Sequence, residues 1–427
     1  MTLFKTPAAP VAKVVKPNKQ RKKPSVQVVI PPEHPAELEL LAWDPKDSFA
    51  MPIINLPPFP PALPERVEEG QYDHINQMGR GVSIHSHVNF AAGTTAAKDR
   101  ELPEAYQLKV SLNLTMPQAG GKEDLLAVNP DLPHVLAGFD RLMDAASVSP
   151  WYHALMLHKQ NRVRKNAATL SRVLDRHNFY DTETILQIEA PDSKRKLVWI
   201  QADMDVVSDG SDGDRLPDMP KAIRESDHYQ PTTSYRWKKM GSSPNPLLPH
   251  WRERVKSLQK NRGSASAIQQ AKNTIFELER YSFLLADYDP FIVLSLTMRE
   301  GKSDYKAQVG DYVVVIVGKK AYPAIVGDYG PTFKSGEASL RLCKEINPKA
   351  TVYSRPVSDL TVSYLVFPGS KAEEHGPIDY KLMYERCSVL LNEIGGLGEG
   401  IVLQKLSDKL PSMEEILRKQ KAKEKTR

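Results

Sequence analysis

The sequence predicts an α+β fold: a β-rich, barrel-like or mixed-sheet core, helices packed outside it, and a Pro-rich N-terminal region without a core. Three observations predict it. Short apolar runs rich in β-branched residues recur at 183–202, 291–297, 309–326 and 361–367, without the regular strand–helix alternation that a doubly wound sheet needs. Helical spacing appears at 135–144, 153–177, 249–286 and 379–394 and again after Glu337, so helices decorate the strands rather than alternate regularly with them. The 34 prolines crowd the first third of the 427 residues, while 41% of the chain is hydrophobic, enough for a core.

Taken in order, residues 1–68 are Pro- and Lys-rich, as in Pro57–Pro64. Such a segment buries too little apolar surface to offset its ordering entropy and is expected to be a linker or stalk. Residues 69–150 form a poorly defined extension. Within it 83–90 and 107–114 alternate with period two, as strands do, and His85 and His87 share one strand face. With no acid or cysteine beside them, they read as surface histidines rather than metal ligands. Leu155, Leu157, Val163, Leu170, Val173 and Leu174 form an apolar helical stripe. Strands are expected over Asp181–Glu189 and Lys196–Ala202, the second apolar on both faces and therefore central. Residues 249–286 read as a helical hairpin broken at Gly263, and 379–394 as an amphipathic helix. The tail 411–427 is charged.

The net charge of +6 conceals a division. Residues 1–24 carry seven basic side chains and no acid, and 418–427 carry a net +5, so setting both arms aside leaves a body of net −6. An acidic body argues against nucleic acid as the ligand and suits a cationic one. No apolar run reaches the length of a membrane span, and the first residues contain no stretch long enough for a signal-peptide core. Cys343 and Cys387 are the only cysteines. They exclude a disulfide framework or a cysteine metal site and leave either one bridge or two buried thiols.

Two stretches carry acids. Six aspartates fall between Asp203 and Asp218. The EF-hand spacing fails in every frame: counted from Asp205 the third position is Val207, and from Asp209 the fifth is Gly213. Asp203 and Asp205 share one face of the extended chain at a strand end and are expected to grip a cationic or polyhydroxyl ligand. The later aspartates are expected to cap turns. The chain is organised around the second stretch, Val309–Phe367. A hairpin through Gly318-Lys319-Lys320 delivers Asp328 and Glu337 in a Gly-rich loop, with a helix expected from Glu337 onward and Lys334 between the acids. Two carboxyls in unlike environments suit general acid/base work.

The strings Gly327-Asp-Tyr-Gly-Pro331, Gly336-Glu-Ala-Ser-Leu340, Leu365-Val-Phe-Pro-Gly369 and Trp199–Asp205 together resemble the chitosanases of glycoside hydrolase family 75, over roughly 180–240 and 285–370. The resemblance implies an endo-acting, inverting hydrolysis of β-1,4 glucosamine linkages with no cofactor and no metal. It also implies a cationic chitosan-like polysaccharide as partner and an extracellular or periplasmic setting. Asp328 and Glu337 match the family's essential acids, with Glu337 as general acid and Asp328 as base. Asp203, Asp205 and Lys334 are then substrate-binding candidates, with Trp237 and Tyr329 for sugar stacking. The catalytic domain is expected over 151–410, with 249–286 as an insertion. Two other readings are a non-catalytic polysaccharide-binding or cell-envelope protein on the same scaffold, and a Ca²⁺-dependent module using Asp203–Asp218.

Overall fold

A computed structural model describes residues 116–412 apart from Leu170, Leu174 and Tyr180. The Pro-rich segment, the alternating stretches at 83–90 and 107–114 with His85 and His87, and most of the charged tail lie outside the described residues.

The core is a closed ring of six strands. Strand β3 (Lys196–Val207) pairs with β10 (Val357–Val366), β10 with β7 (Tyr312–Val317), and β7 with β8 (Lys320–Gly330). These three pairings are antiparallel. Strand β8 then runs parallel to β6 (Phe291–Ser295), β6 antiparallel to β9 (Glu337–Ser339), and β9 parallel to β3, which closes the barrel. Strands β2 (Thr182–Glu189) and β1 (Ala146–Val148) extend the sheet from β3. The fold is α+β, with a barrel at its centre.

The sequence of β7 explains why it sits mid-ring. Val314 and Ile316 face one apolar cluster and Val313 and Val315 another, so both faces are buried and alternation disappears. Each such side chain contributes about 1.5–3 kcal/mol over exposure. A helix at 380–393 (Tyr380–Glu393), capped by the Asp379 side chain, covers the first cluster through Met383, Cys387 and Leu390. A helix at 150–168 (Pro150–Ala168), capped by Ser149, covers the second through Trp151, Tyr152, Leu155 and Met156. The expected hairpin of helices is present as Leu248–Lys260 and Ala265–Arg280. Both cysteines are free and buried. No helix among the described residues is long and apolar enough to cross a membrane.

Two expectations change. Strand β3 runs on to Val207, so Asp203 and Asp205 lie within it rather than in a following loop. Glu337 opens strand β9, not a helix; the helix starts at Leu340, with the Ser339 hydroxyl accepting from the Leu342 N–H. The dipole of that helix therefore has no first-turn carboxylate at Glu337. Parallel pairing of Glu337–Ser339 with Asp205–Val207 takes the place of that first turn.

Candidate functional site

Register builds the site. Asp205 on β3 is opposite Glu337 on β9, Glu337 is opposite Val293 on β6, and Val293 is opposite Asp328 on β8. Residues opposite one another on neighbouring strands project to the same face, so three acids and one valine form a row across four strands. Asp328 joins that row because the β6–β8 register slips at Gly327, from Ile292↔Val326 to Val293↔Asp328. A bulge of this kind re-aims a side chain. Strands are about 4.8 Å apart, so two steps place the Asp328 and Glu337 backbones about 9–10 Å apart.

Glu337 is 7% exposed. Its Oε2 lies over Gly330, where an added Cβ would meet it at 2.5 Å, and the missing side chain leaves the carboxyl its space. Gly330 is two residues beyond Asp328 on β8, a rise of about 6.8 Å. Oε1 accepts from the Lys334 Nζ at 2.5 Å, and the same ammonium lies 2.9 Å from Asp205 Oδ2. The turn that carries Lys334 ends at Gly336, whose φ of +71° suits glycine.

Asp328 is half-buried. Its Oδ1 accepts from the Ser234 N–H at 2.9 Å, the Ser234 hydroxyl at 2.5 Å and the Tyr329 N–H at 2.7 Å. Burial raises its pKa above the ordinary carboxyl value, and Glu337 pushes the same way against those donors. Asp209, just past β3, is a further acid near Asp328 and Glu337. Its Oδ1 accepts from the Gln230 N–H at 2.7 Å. Burial drives its pKa well above the usual range; the Gln230 N–H opposes that, and Asp328 and Glu337 add to it. No basic side chain forms a salt bridge with it among the described residues.

Asp203 and Asp205 are differently placed. Asp203 is fully buried against the Arg176 guanidinium. Asp205 takes His177 Nε2 at 3.0 Å on Oδ2, Arg355 on Oδ1, and Lys334. Burial alone would raise the Asp205 pKa, but His177, Lys334 and Arg355 outweigh it and hold the carboxyl well below the usual range. Burial, reinforced by Arg355, pushes the Arg176 pKa down to about 10. Tyr329 is half-buried beside Asp328, its hydroxyl donating to the Ala307 carbonyl at 3.0 Å and Arg299 lying 4.9 Å from its ring centre. Trp237 is buried in the first apolar cluster, with Arg215 5.1 Å from its ring. Among the described residues no group of three or more His, Cys, Asp or Glu is arranged to hold a metal ion. Asp212 is tied up by Arg215, Ser282 and the Asp214 N–H.

The family model described as fungal chitosanase of glycosyl hydrolase group 75 matches residues 204–403. Over that stretch the chain is similar to glycosyl hydrolase group 75. The matched stretch includes Asp205, Asp209, Asp328, Lys334 and Glu337, and starts one residue after Asp203. No curated protein matches the chain.

Sequence reasoning missed Asp209, Ser234, His177, Arg176 and Arg355. Asp209 was readable only as one of six aspartates, and the cations that neutralise Asp203 and Asp205 come from 20 or more residues away along the chain, with no local motif to announce them.

Proposed function

We propose that this group 75-like protein is an endo-acting, inverting glycosidase of β-1,4-linked glucosamine chains, with Asp328 as general base and Glu337 as general acid. The observation that carries the reading is the row in which the two acids flank Val293. An inverting pair needs its carboxyls about 6.5–9.5 Å apart to admit a water, and backbones about 9–10 Å apart on one face suit that gap.

The unequal environments support the division of roles. Three donors on Asp328 Oδ1 orient the carboxylate and leave Oδ2 for a water. A raised pKa makes it the stronger proton acceptor. Lys334 is one cation between two carboxylates. Asp205 shares that cation, which contacts Glu337 through Oε1, and Oε2, over Gly330, is the oxygen proposed to face the leaving group. In the reaction Asp328 Oδ2 accepts a proton from water as the water oxygen bonds to the anomeric carbon. The glycosidic C–O bond breaks, and Glu337 gives its proton to the leaving oxygen. The Lys334 ammonium, 2.5 Å from Oε1, stabilises the carboxylate that results.

Asp209, which has no salt bridge among the described residues and lies near Asp328 and Glu337, is the proposed receiver for a sugar ammonium group. Asp203 and Asp205, for which the sequence suggested that task, already hold cations of their own. Tyr329, beside Asp328, is the stacking surface; Trp237 belongs to the core.

Reducing-end release from chitosan tests the reading. The wild type is expected to be active, and Asp328→Asn and Glu337→Gln to lose roughly 10²–10⁴-fold. A glucosaminide with a good leaving group, which needs no protonation, restores turnover in Glu337→Gln but not in Asp328→Asn. Activity that persists in both variants on chitosan rejects the site.

A further inference from the structure

Behind Glu337 lies a continuous chain of polar contacts that the two-acid reaction does not itself require. Lys334 Nζ reaches Asp205 Oδ2 at 2.9 Å, and the same oxygen takes His177 Nε2 at 3.0 Å. His177 Nδ1 contacts Asp181 Oδ2 at 3.0 Å, and Asp181 Oδ1 accepts from Lys159 Nζ at 2.6 Å. Lys159 and Asp181 have no solvent exposure at all. The Lys159 ammonium also donates to the His177 carbonyl at 2.8 Å, so it clamps the residue it supports from both sides. Thr182 spends its only hydroxyl proton on Asp181 Oδ1 at 2.9 Å, so Ser335, 2.5 Å from Thr182 Oγ1, is the donor there. That contact ties the chain back to the turn carrying Lys334. Arg355 and Arg176 flank Asp205 from its other side.

We propose that His177 and Asp205 are positioning residues: with Asp181 and Lys159 they form a buried chain of polar contacts, anchored in the 150–168 helix, that fixes Lys334 and through it the Glu337 carboxyl. The inference rests on the reading that Glu337 takes part in the reaction. A lysine side chain free to rotate loses rotamer entropy when ordered. Two acceptors at 2.5 and 2.9 Å order this one, and Asp205 does so only because His177 and the two arginines hold it. A misplacement of about 1 Å at a reacting group costs on the order of 10²-fold in rate. Lys159, His177 and Asp181 all precede the stretch 204–403 that matches the family, so the support of the acid comes from chain outside the match.

The test uses the full chain with His177→Ala, His177→Gln and the near-isosteric Asp205→Asn, each checked for folding by thermal unfolding. The expected result on chitosan oligomers is a fall in kcat of roughly 10–100-fold in His177→Ala with KM within about twofold. His177→Gln, which can still donate to Asp205, is expected to recover most of the loss. Crystal structures of the variants read the positioning directly: Lys334 Nζ is expected to leave Glu337 Oε1 by about 1 Å or more in His177→Ala. Should that variant not fold, Asp205→Asn carries the same two expectations. Unchanged kcat in an active enzyme, or Lys334 and Glu337 keeping their places in the variant crystals, overturns the proposal. A wild type inactive on chitosan overturns the functional reading instead, and the crystal comparison still decides the positioning.

Discussion

Replacing Gly330 with alanine separates the position of the Glu337 carboxyl from the stability of the fold. The new Cβ would lie 2.5 Å from Glu337 Oε2 and 3.1 Å from Val293 Cγ1. A carbon–oxygen contact settles near 3.3 Å, so Oε2 must retreat by about 0.8 Å. The retreat is cheap, because Oε2 ends a flexible side chain and the valine methyl needs to give by only a few tenths of an ångström. Gly330 does not have a positive φ, so alanine adopts its backbone, and the stiffer unfolded chain returns about 0.4–1 kcal/mol. Net stability is expected to change by less than about 1 kcal/mol. The reacting carboxyl, however, has moved nearly an ångström, which predicts a fall in kcat of roughly 10–100-fold. Thermal unfolding and steady-state kinetics on chitosan oligomers measure the two effects separately. A variant with wild-type kcat refutes the placement of Glu337 over Gly330 as a catalytic requirement.

Other predictions follow from the same charges. Asp209→Asn is expected to raise the melting temperature at neutral pH, because burial and like charge disfavour the ionised acid in the folded state. With its folded pKa above the unfolded value of about 3.9, the penalty is complete above the folded pKa and absent below pH ~4, so the gain should vanish on acidification; an equal gain at pH 3 refutes it. The same variant should raise KM for fully deacetylated oligomers more than for partly acetylated ones, and equal effects on both would deny Asp209 its ammonium. Asp205 has the opposite sign: its folded pKa is depressed, so its contribution is present above pH ~4 and lost as pH falls further. Asp205→Asn should therefore destabilise by about 3–5 kcal/mol at pH 7, with the difference from wild type narrowing in acid; denaturant titrations at the two pH values check this. Lys159→Met removes the fully buried ammonium that faces the Asp181 carboxylate and should cost about 3–5 kcal/mol in urea unfolding.

The sequence made the barrel strands legible where local chemistry suffices. The unbroken apolar run of β7, the turn at Gly318-Lys319 and the apolar start of β8 predict a buried hairpin, and the hairpin is there. The helix expected over 379–394 runs Tyr380–Glu393, and the hairpin expected over 249–286 breaks around Gly263 but stops at Arg280, where a short strand follows. Glu337-Ala338-Ser339 was not legible as a strand. Three residues show no period, Glu and Ala favour helices, and the pairing that makes them a strand joins β3, more than 130 residues earlier. The same distance hid the state of Asp203 and Asp205. Their spacing puts them on one face, as observed, but the partners that occupy them come from 176–177, 334 and 355. Asp328 was found by its motif, and its aim toward the row was not, because the bulge at Gly327 shows only once β6 is paired.

Asp328 and Glu337 are proposed to divide the roles of base and acid across a gap that admits a water. Proton NMR of the first products released from a fully deacetylated chitosan oligomer tests it most directly, before mutarotation scrambles the anomers. Inversion at a β-1,4 linkage predicts that the α-anomer of the new reducing end appears first, with the β-anomer growing in later. The β-anomer appearing first, the mark of a closer pair working through a covalent intermediate, would contradict the account.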